Sequence, residues 1–468
     1  MLRTTYHQIL SALLASVILF AWCTPASAIS LKEEQELSQQ FMRMVNRHFE
    51  LIDDPVIRGY VEKVGRKILA GLPPQPFTYN FYVIKEESYN AFAIPAGYIF
   101  INSGLLLAMD SEDELAGILS HEIAHVVCRH ISQRIERSKK IDLASMAGVV
   151  AGIFLGAAGG SIEAAQALTL GSAAAGQTLS LAYSRDDESQ ADQMGLFYLD
   201  KAGYSAKGLL DILKKIRGKQ WFGSAQVPTY MMTHPAVEER IAQIDTWMAT
   251  QQDMARKTKD PSTQFRRMQY RSRALYGDPN SAIAFFKSIL AKNPSDDEAV
   301  YAQALTLART GEHAQAVQLL QRVLTRNALD PMVLADLGKV YFLSGRTREA
   351  LQILKGATSL PDTSPEGWFY LGRTYLELGD HPAAIDSLER LLLVHSDYAQ
   401  AYYFLGEAYG KMGRRPESHY FLGLFHFKRG DDLTAQHHLL RAQKDIQDPN
   451  KLETIKKSLD ILKKLPKE

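Results

Sequence analysis

The chain changes its hydrophobic rhythm twice. Over Leu31–Glu50 and Pro55–Leu72, apolar positions return every three or four residues, which predicts two amphipathic helices. Gly71-Leu72-Pro73-Pro74 stops the second. Phe77–Val83 and Tyr98–Asn102 are rich in β-branched and aromatic residues, which predicts strands. Positions 111–138 go back to a helical period. Ser111, with Glu114 three residues on, is a helix-start signal for that segment. The pattern predicts an α+β domain over 29–252, mostly helical with a small sheet.

From 271 to 468 the rhythm becomes a repeat. Gly277, Gly311, Gly345, Gly379 and Gly413 are 34 residues apart, and Ala282, Ala316, Ala350 and Ala384 follow five residues behind. Leu337-Gly338, Leu371-Gly372 and Leu405-Gly406 keep the phase, as do Tyr341, Tyr375 and Tyr409. A glycine can close one helix in a left-handed turn, and a small residue lets the next helix approach. This unit resembles the tetratricopeptide repeat and implies an all-α superhelix with a concave face for a peptide or protein. After Gly413 the period breaks, since Gly430 comes 17 residues later, so the C-terminal part is expected to be a modified cap. Residues 253–270 are polar and charged, with one proline, and are expected to be a linker or short connecting helix.

Residues 1–28 have the grammar of an export leader. Arg3 precedes an apolar run of 14 residues, Ile9–Trp22, too short for a comfortable membrane span. Ala26-Ser27-Ala28 is a small-x-small cleavage pattern, so a periplasmic chain beginning after Ala28 is expected. Composition narrows the field. Of 468 residues, 46% are apolar and 22% charged, which excludes a mostly disordered chain. The 53 basic and 52 acidic residues nearly cancel, leaving no electrostatic footprint for nucleic acid. Two cysteines, Cys23 in the leader and Cys128, exclude a disulfide framework.

The 111–138 helix contains His121-Glu122-Ile123-Ala124-His125. Two histidines at i and i+4 project from one face, where they can share a zinc ion, one per chain. Glu122 stands beside them to take a proton from water. A third histidine six residues after His125 would signal another zinc arrangement, but that position is Ile131. The alternative is a carboxylate from a later helix. Glu188 and Asp192 are four apart in Ser184–Asp192 and share a face. Glu188 can complete the metal set. Asp192 can either hold a histidine ring or donate a proton to a leaving amine. Cys128 shares the histidine face and reads as a small core residue. His130 lies off that face and reads as structural or exposed.

These segments resemble the zinc endopeptidases that include HtpX and the CAAX prenyl proteases. The resemblance rests on HExxH, on Ser-Arg-x-x-Glu-x-x-Ala-Asp at 184–192, on Asn90–Gly97, and on Thr233-His234-Pro235 with Arg240-Ile241. It covers about residues 40–250 and implies a zinc metalloendopeptidase. It also assigns work to the remaining segments. Asn90, Ala91, Phe92 and Ala93 are expected to form an edge strand to which a substrate peptide adds by backbone pairing. His234 is expected on a loop, either stabilising an oxyanion, as is Arg240, or filling the fourth metal position as a latch. A plain surface histidine is the third reading.

Residues 143–182 carry a single formal charge, Glu163. The choice is between a membrane hairpin and mobile helices that cover the catalytic domain or lie on a membrane surface; their small-residue content favours the second. Taken with the leader and the repeats, the resemblance implies an exported endopeptidase for misfolded or stalled outer-membrane proteins, whereas composition and spacing alone give an exported zinc hydrolase with a binding array. Its repeats would recruit substrate or assembly machinery. The competing function is an assembly chaperone or adaptor with a latent protease.

Overall fold

The computed structural model describes residues 29–137, 183–221, 229–250, 262–361 and 363–463. The expected leader (1–28) and the whole of the apolar insert (143–182) lie outside the described residues. The first domain is mostly helical. Its opening elements are α1 (Leu31–His48), α2 (Pro55–Leu69), β1 (Asn80–Ile84), β2 (Ala91–Ile94), β3 (Tyr98–Asn102) and α3 (Ser103–Ala108). Then follow α4 (Glu112–Val127), α5 (His130–Arg137), α6 (Arg185–Ala202), α7 (Lys207–Trp221), α8 (Thr229–Thr233) and α9 (Val237–Thr250). The sheet order is β1-β3-β2, with β1 parallel and β2 antiparallel to β3.

Both sheet faces are covered, so the strands are apolar throughout rather than alternating with polar residues. Phe81, Val83, Ala91, Ala93, Ile99 and Ile101 point into the main core with α2 and α4. The alternate residues Phe92, Ile94 and Phe100 pack under α1, against Leu37, Phe41 and Val45. Phe77–Tyr79, expected in the first strand, precede it.

The α4 helix lies at the centre, and nearly every residue of it is buried. Ser111 caps it by accepting from the Glu114 amide (3.3 Å), and the Glu114 carboxylate accepts from the Asp110 amide (3.1 Å). Glycine lets neighbours come close. A Cβ at Gly117 would lie 2.6 Å from the Leu209 amide nitrogen, and one at Gly195 would lie 3.3 Å from the His121 amide nitrogen. Gly117→Ala therefore forces α7 away from α4. It is expected to cost about 1–3 kcal/mol, read as a lower thermal midpoint; an unchanged midpoint would show that the helices move apart freely.

The second domain is all helical. It runs α10 (Thr263–Tyr276), α11 (Pro279–Lys292), α12 (Asp297–Arg309), α13 (His313–Leu324), α14 (Pro331–Leu343), α15 (Thr347–Thr358) and α16 (Pro365–Glu377). It continues α17 (His381–Val394), α18 (Ala399–Lys411), α19 (Arg415–Arg429), α20 (Asp432–Asp445) and α21 (Pro449–Lys463). Gly311, Gly345, Gly379 and Gly413 all hold positive φ, between 76° and 88°, which is the left-handed turn that the repeat needs. Gly277, in phase with them by sequence, instead ends α10 in an extended conformation (φ −77°, ψ 175°). Gly430 is also left-handed (φ 74°). The break in period is thus a continuation of helix hairpins at a different spacing.

The α10 helix crosses position 270, where a linker was expected to end. Phe265 and Met268 belong to the first core, and Ala274 to the second. Among the described residues, no helix is long and apolar enough to cross a membrane.

Candidate metal centre

Helical geometry brings the first two ligand candidates together. His121 and His125 are one turn apart on α4, and their Nε2 atoms are 3.0 Å apart. The third comes from α6, whose first turn is fixed by a reciprocal capping box between Ser184 and Asp187. The close approach at Gly195 brings α6 against α4. Glu188 then sets Oε2 3.4 Å from His121 Nε2 and Oε1 3.4 Å from His125 Nε2. His234, just after α8, places Nδ1 3.1 Å from Glu188 Oε1 and 3.4 Å from His121 Nε2. His234 is completely buried and is no surface histidine.

Four donor atoms, one from each of these residues, lie within 4.8 Å of one another. Donors about 2.0 Å from a tetrahedral centre stand about 3.3 Å apart, so these spacings suit one metal ion. Polar accounting agrees. Glu122 is fully buried, and neither of its carboxylate oxygens has a hydrogen-bond partner; Glu188 Oε2 has none either. Such orphans are rare in a dry interior and mark a place where another polar species belongs.

Electrostatics sorts the group. Burial works against the Glu188 charge, but Arg240, His234 and both α4 histidines outweigh it and hold the carboxyl well below its usual range. Burial raises Glu122 instead, which moves a carboxylate towards the range of a neutral-pH base. Burial and the neighbouring His121 push His125 well down, so it is neutral and able to bind metal.

A supporting layer surrounds the four. Asp192 Oδ1 lies 2.9 Å from His121 Nδ1, leaving Nε2 aimed at the centre. Arg240 grips Asp192 with two bonds, Nε to Oδ2 (2.7 Å) and Nη2 to Oδ1 (2.8 Å). Its Nη1 is 2.5 Å from Glu188 Oε2, close enough for ion pairing but misaligned for a hydrogen bond. Its buried fork thus pairs with two carboxylates of the chain, while the expected role at an oxyanion would fall to Nη1, which makes no hydrogen bond.

His130 was given no part in this site. It is nonetheless buried, with Nδ1 2.8 Å from His125 Nδ1 and Nε2 2.9 Å from Gln190 Oε1. The turn after α4 explains this. Arg129 has positive φ (54°) and swings His130 back toward the preceding helix, which helical periodicity cannot foresee. Tyr183 was also missed, and its ring stacks on His125 at 3.6 Å. Cys128 is the half-buried cap of α4 and is not among the four clustered residues.

Asn90–Ala93 lie beside the centre. Residues 91–94 form the edge strand of the sheet, and the Asn102 amide donates to the Asn90 carbonyl (2.9 Å). This phase turns the main-chain groups of Ala91 and Ala93 away from β3. Their carbonyls meet His234 Nε2 (3.2 Å) and the Tyr183 hydroxyl (3.3 Å).

Residues 55–248 match peptidase family M48. Over this segment the chain is similar to the M48 peptidases. Residues 274–340 and 372–413 match tetratricopeptide-repeat families, so the fold is an M48 domain followed by helical repeats. The chain is 31% identical over 217 residues to a Vibrio cholerae protein named "Putative beta-barrel assembly-enhancing protease", covering 46% of this chain and 44% of the relative. Identity to the beta-barrel assembly-enhancing protease of Escherichia coli (strain K12) is 26% over 216 residues, with the same coverages. It is 29% over 204 residues to the mitochondrial metalloendopeptidase OMA1 of Schizosaccharomyces pombe, covering 43% of this chain and 56% of the relative. The chain therefore matches less than half the length of the two bacterial relatives. The similarity to M48 peptidases falls on the segment that carries the buried donor cluster.

Proposed function

We propose that the chain is an exported, zinc-dependent endopeptidase that acts on misfolded or stalled outer-membrane proteins in the periplasm. The observation that carries the reading is the convergence of His121, His125 and Glu188 beside the unpartnered carboxylate of Glu122. When bound, zinc supplies Lewis acidity toward water and the scissile carbonyl. The protein's own residues do the rest. His121, His125 and Glu188 hold the ion. Glu122 takes a proton from the attacking water on a free carboxylate oxygen and returns it to the departing amine. Asp192 fixes the His121 ring, and Arg240 fixes Asp192. His130 and Tyr183 orient His125. Relatives named for beta-barrel assembly support the substrate class, and the repeats are suited to recruiting substrate or assembly machinery.

The centre is shut in this conformation. His121, Glu122, Glu188 and His234 are completely buried, and His125 is 2% exposed. We infer that His234 occupies the fourth position as a latch. A substrate strand pairing with the outer edge of β2 needs the carbonyls of Ala91 and Ala93, which His234 and Tyr183 now occupy. Peptide binding and latch release are then one event. This closure also favours a second reading, a chaperone or adaptor for outer-membrane protein assembly whose protease is normally silent. Zinc content and casein cleavage test both for wild type and His234→Ala. The latch predicts one zinc per chain in both proteins and a several-fold faster cleavage in the variant. A loss of cleavage with zinc retained would place His234 among the catalytic groups. A wild-type protein that holds no zinc would remove the enzyme reading.

A further inference from the structure

Four of the chain's 13 histidines fall within twenty residues, at 419, 426, 437 and 438, far in sequence from the peptidase centre. They sit on α19 and α20, at the hairpin where the 34-residue period has already broken. His419 and His426 are seven apart, two turns along one face of α19. His438, on α20, packs against both. Its Nδ1 is 2.9 Å from His419 Nδ1, and its ring lies parallel to that of His426 at 5.7 Å (interplanar angle 10°). His437 is exposed and meets His438 edge-on at 5.5 Å.

Two imidazole nitrogens 2.9 Å apart either share one proton or share one metal. Metal–nitrogen bonds of about 2.0–2.1 Å at a right angle separate two nitrogens by about 2.9 Å, the bite of a square-planar or octahedral ion. The separation in the peptidase pair, His121 to His125, is 3.0 Å. His426 lies beside the pair rather than in it: its Nδ1 is 3.1 Å from Asp431 Oδ2. The pair is only partly buried, so an ion can reach it from solvent. Burial, then His419, His426, His437 and Arg441, lower His438 to about 4, so its ring is neutral at physiological pH. His419 is lowered as well, by burial and by Arg441, His437 and Arg415.

We propose that His419 and His438 form a second metal site of two imidazole ligands completed by solvent, which takes a divalent late transition-metal ion and binds Cu²⁺ most tightly. The order follows from the ligand type and the right-angle bite. The bound ion ties α19 to α20 and stiffens the repeat array where its spacing changes. Nothing in this site depends on the peptidase centre.

The test uses the full chain with its peptidase centre loaded with Zn²⁺. Cu²⁺ is added while calorimetry, electron paramagnetic resonance and zinc content are followed. The expected result is one Cu²⁺ per chain, a spectrum split by at least two imidazole nitrogens, and no zinc released. In the double variant His419→Gln/His438→Gln this binding and splitting are lost. In the single variant His438→Gln one of the two ligands remains, and binding should weaken by about 10–100-fold with splitting from one nitrogen fewer. Cu²⁺ should also raise the thermal midpoint of wild type and leave that of the double variant unmoved. Failure of wild type to bind, or equal affinity and the same nitrogen splitting in the double variant, overturns the site. Should the double variant lose its helical circular dichroism, His438→Gln decides: unchanged affinity there also overturns it.

Discussion

Glu122→Gln is expected to lower kcat/KM for casein by about 10²–10⁴-fold while leaving the metal content at one per chain. Three features set the size of this effect. The side chain is completely buried, and neither oxygen is hydrogen-bonded. Burial raises its pKa, so it is a stronger base than a surface glutamate. Among the described residues, His234 Nε2 is 3.6 Å from Glu122 Oε1, beyond a hydrogen bond. Glutamine keeps the shape and cannot accept the proton. Because Glu122 is outside the set His121, His125, Glu188 and His234, metal should stay. The same variant separates the two functional readings. If it complements the envelope defects of a deletion strain as well as wild type, proteolysis is not the main activity. If Glu122→Gln cleaves casein normally, the assignment of the base is wrong.

Arg271→Met is expected to destabilise the protein by about 3–5 kcal/mol and to loosen the two domains from each other. Arg271 is 1% exposed. Its Nε donates to Asp54 Oδ2 (2.8 Å), and Asp54 caps α2 in the peptidase domain. Its Nη1 donates to Asp336 Oδ2 on α14 (2.5 Å) and contacts the Tyr301 hydroxyl, which also donates to Asp336. Removal of the guanidinium leaves two buried carboxylates unpaired. Burial opposes the charge on Asp336, but Arg271 outweighs it and holds the carboxyl below its usual range. A carboxylate lowered in the folded state adds stability above its unfolded pKa of about 3.9. That stability disappears as pH falls through the folded value, so the interaction is at full strength at neutral pH. Thermal unfolding and limited proteolysis across residues 251–262 provide the measurement. A midpoint and cleavage rate equal to wild type would mean that the junction is held by apolar packing alone.

Much of this was legible along the chain. The 34-residue phase located the repeats, and Tyr98–Asn102 is a strand at its expected bounds. The α4 histidines could be paired because helical spacing is local. Glu188 was reachable because it shares a helix face with Asp192. Other features were not legible. His130 lies five residues after His125, but its position depends on the left-handed turn at Arg129. The commitment of Arg240 to Asp192 depends on how α9 packs on α6. The stretch up to 270 read as a linker or short connecting helix because the partners of Arg267, Glu298 and Asp330, lie elsewhere in the chain, as do Asp54 and Asp336, the partners of the next arginine, Arg271. Charge along a sequence reads as solvent exposure, whereas here it is ion pairing, and the Arg271–Asp54 pair joins the two domains in a buried position.

The sequence by itself determined the classes of element, the repeat and the pairing of His121 with His125 on one helix face, since each follows from spacing within a turn, a strand or one unit. The tertiary structure alone decided which carbonyls His234 and Tyr183 cover, which carboxylates hold Arg240 and Arg271, and which histidines of α19 and α20 face each other. These contacts join residues that are distant along the chain, and only the packing of helices against one another brings them within bonding distance.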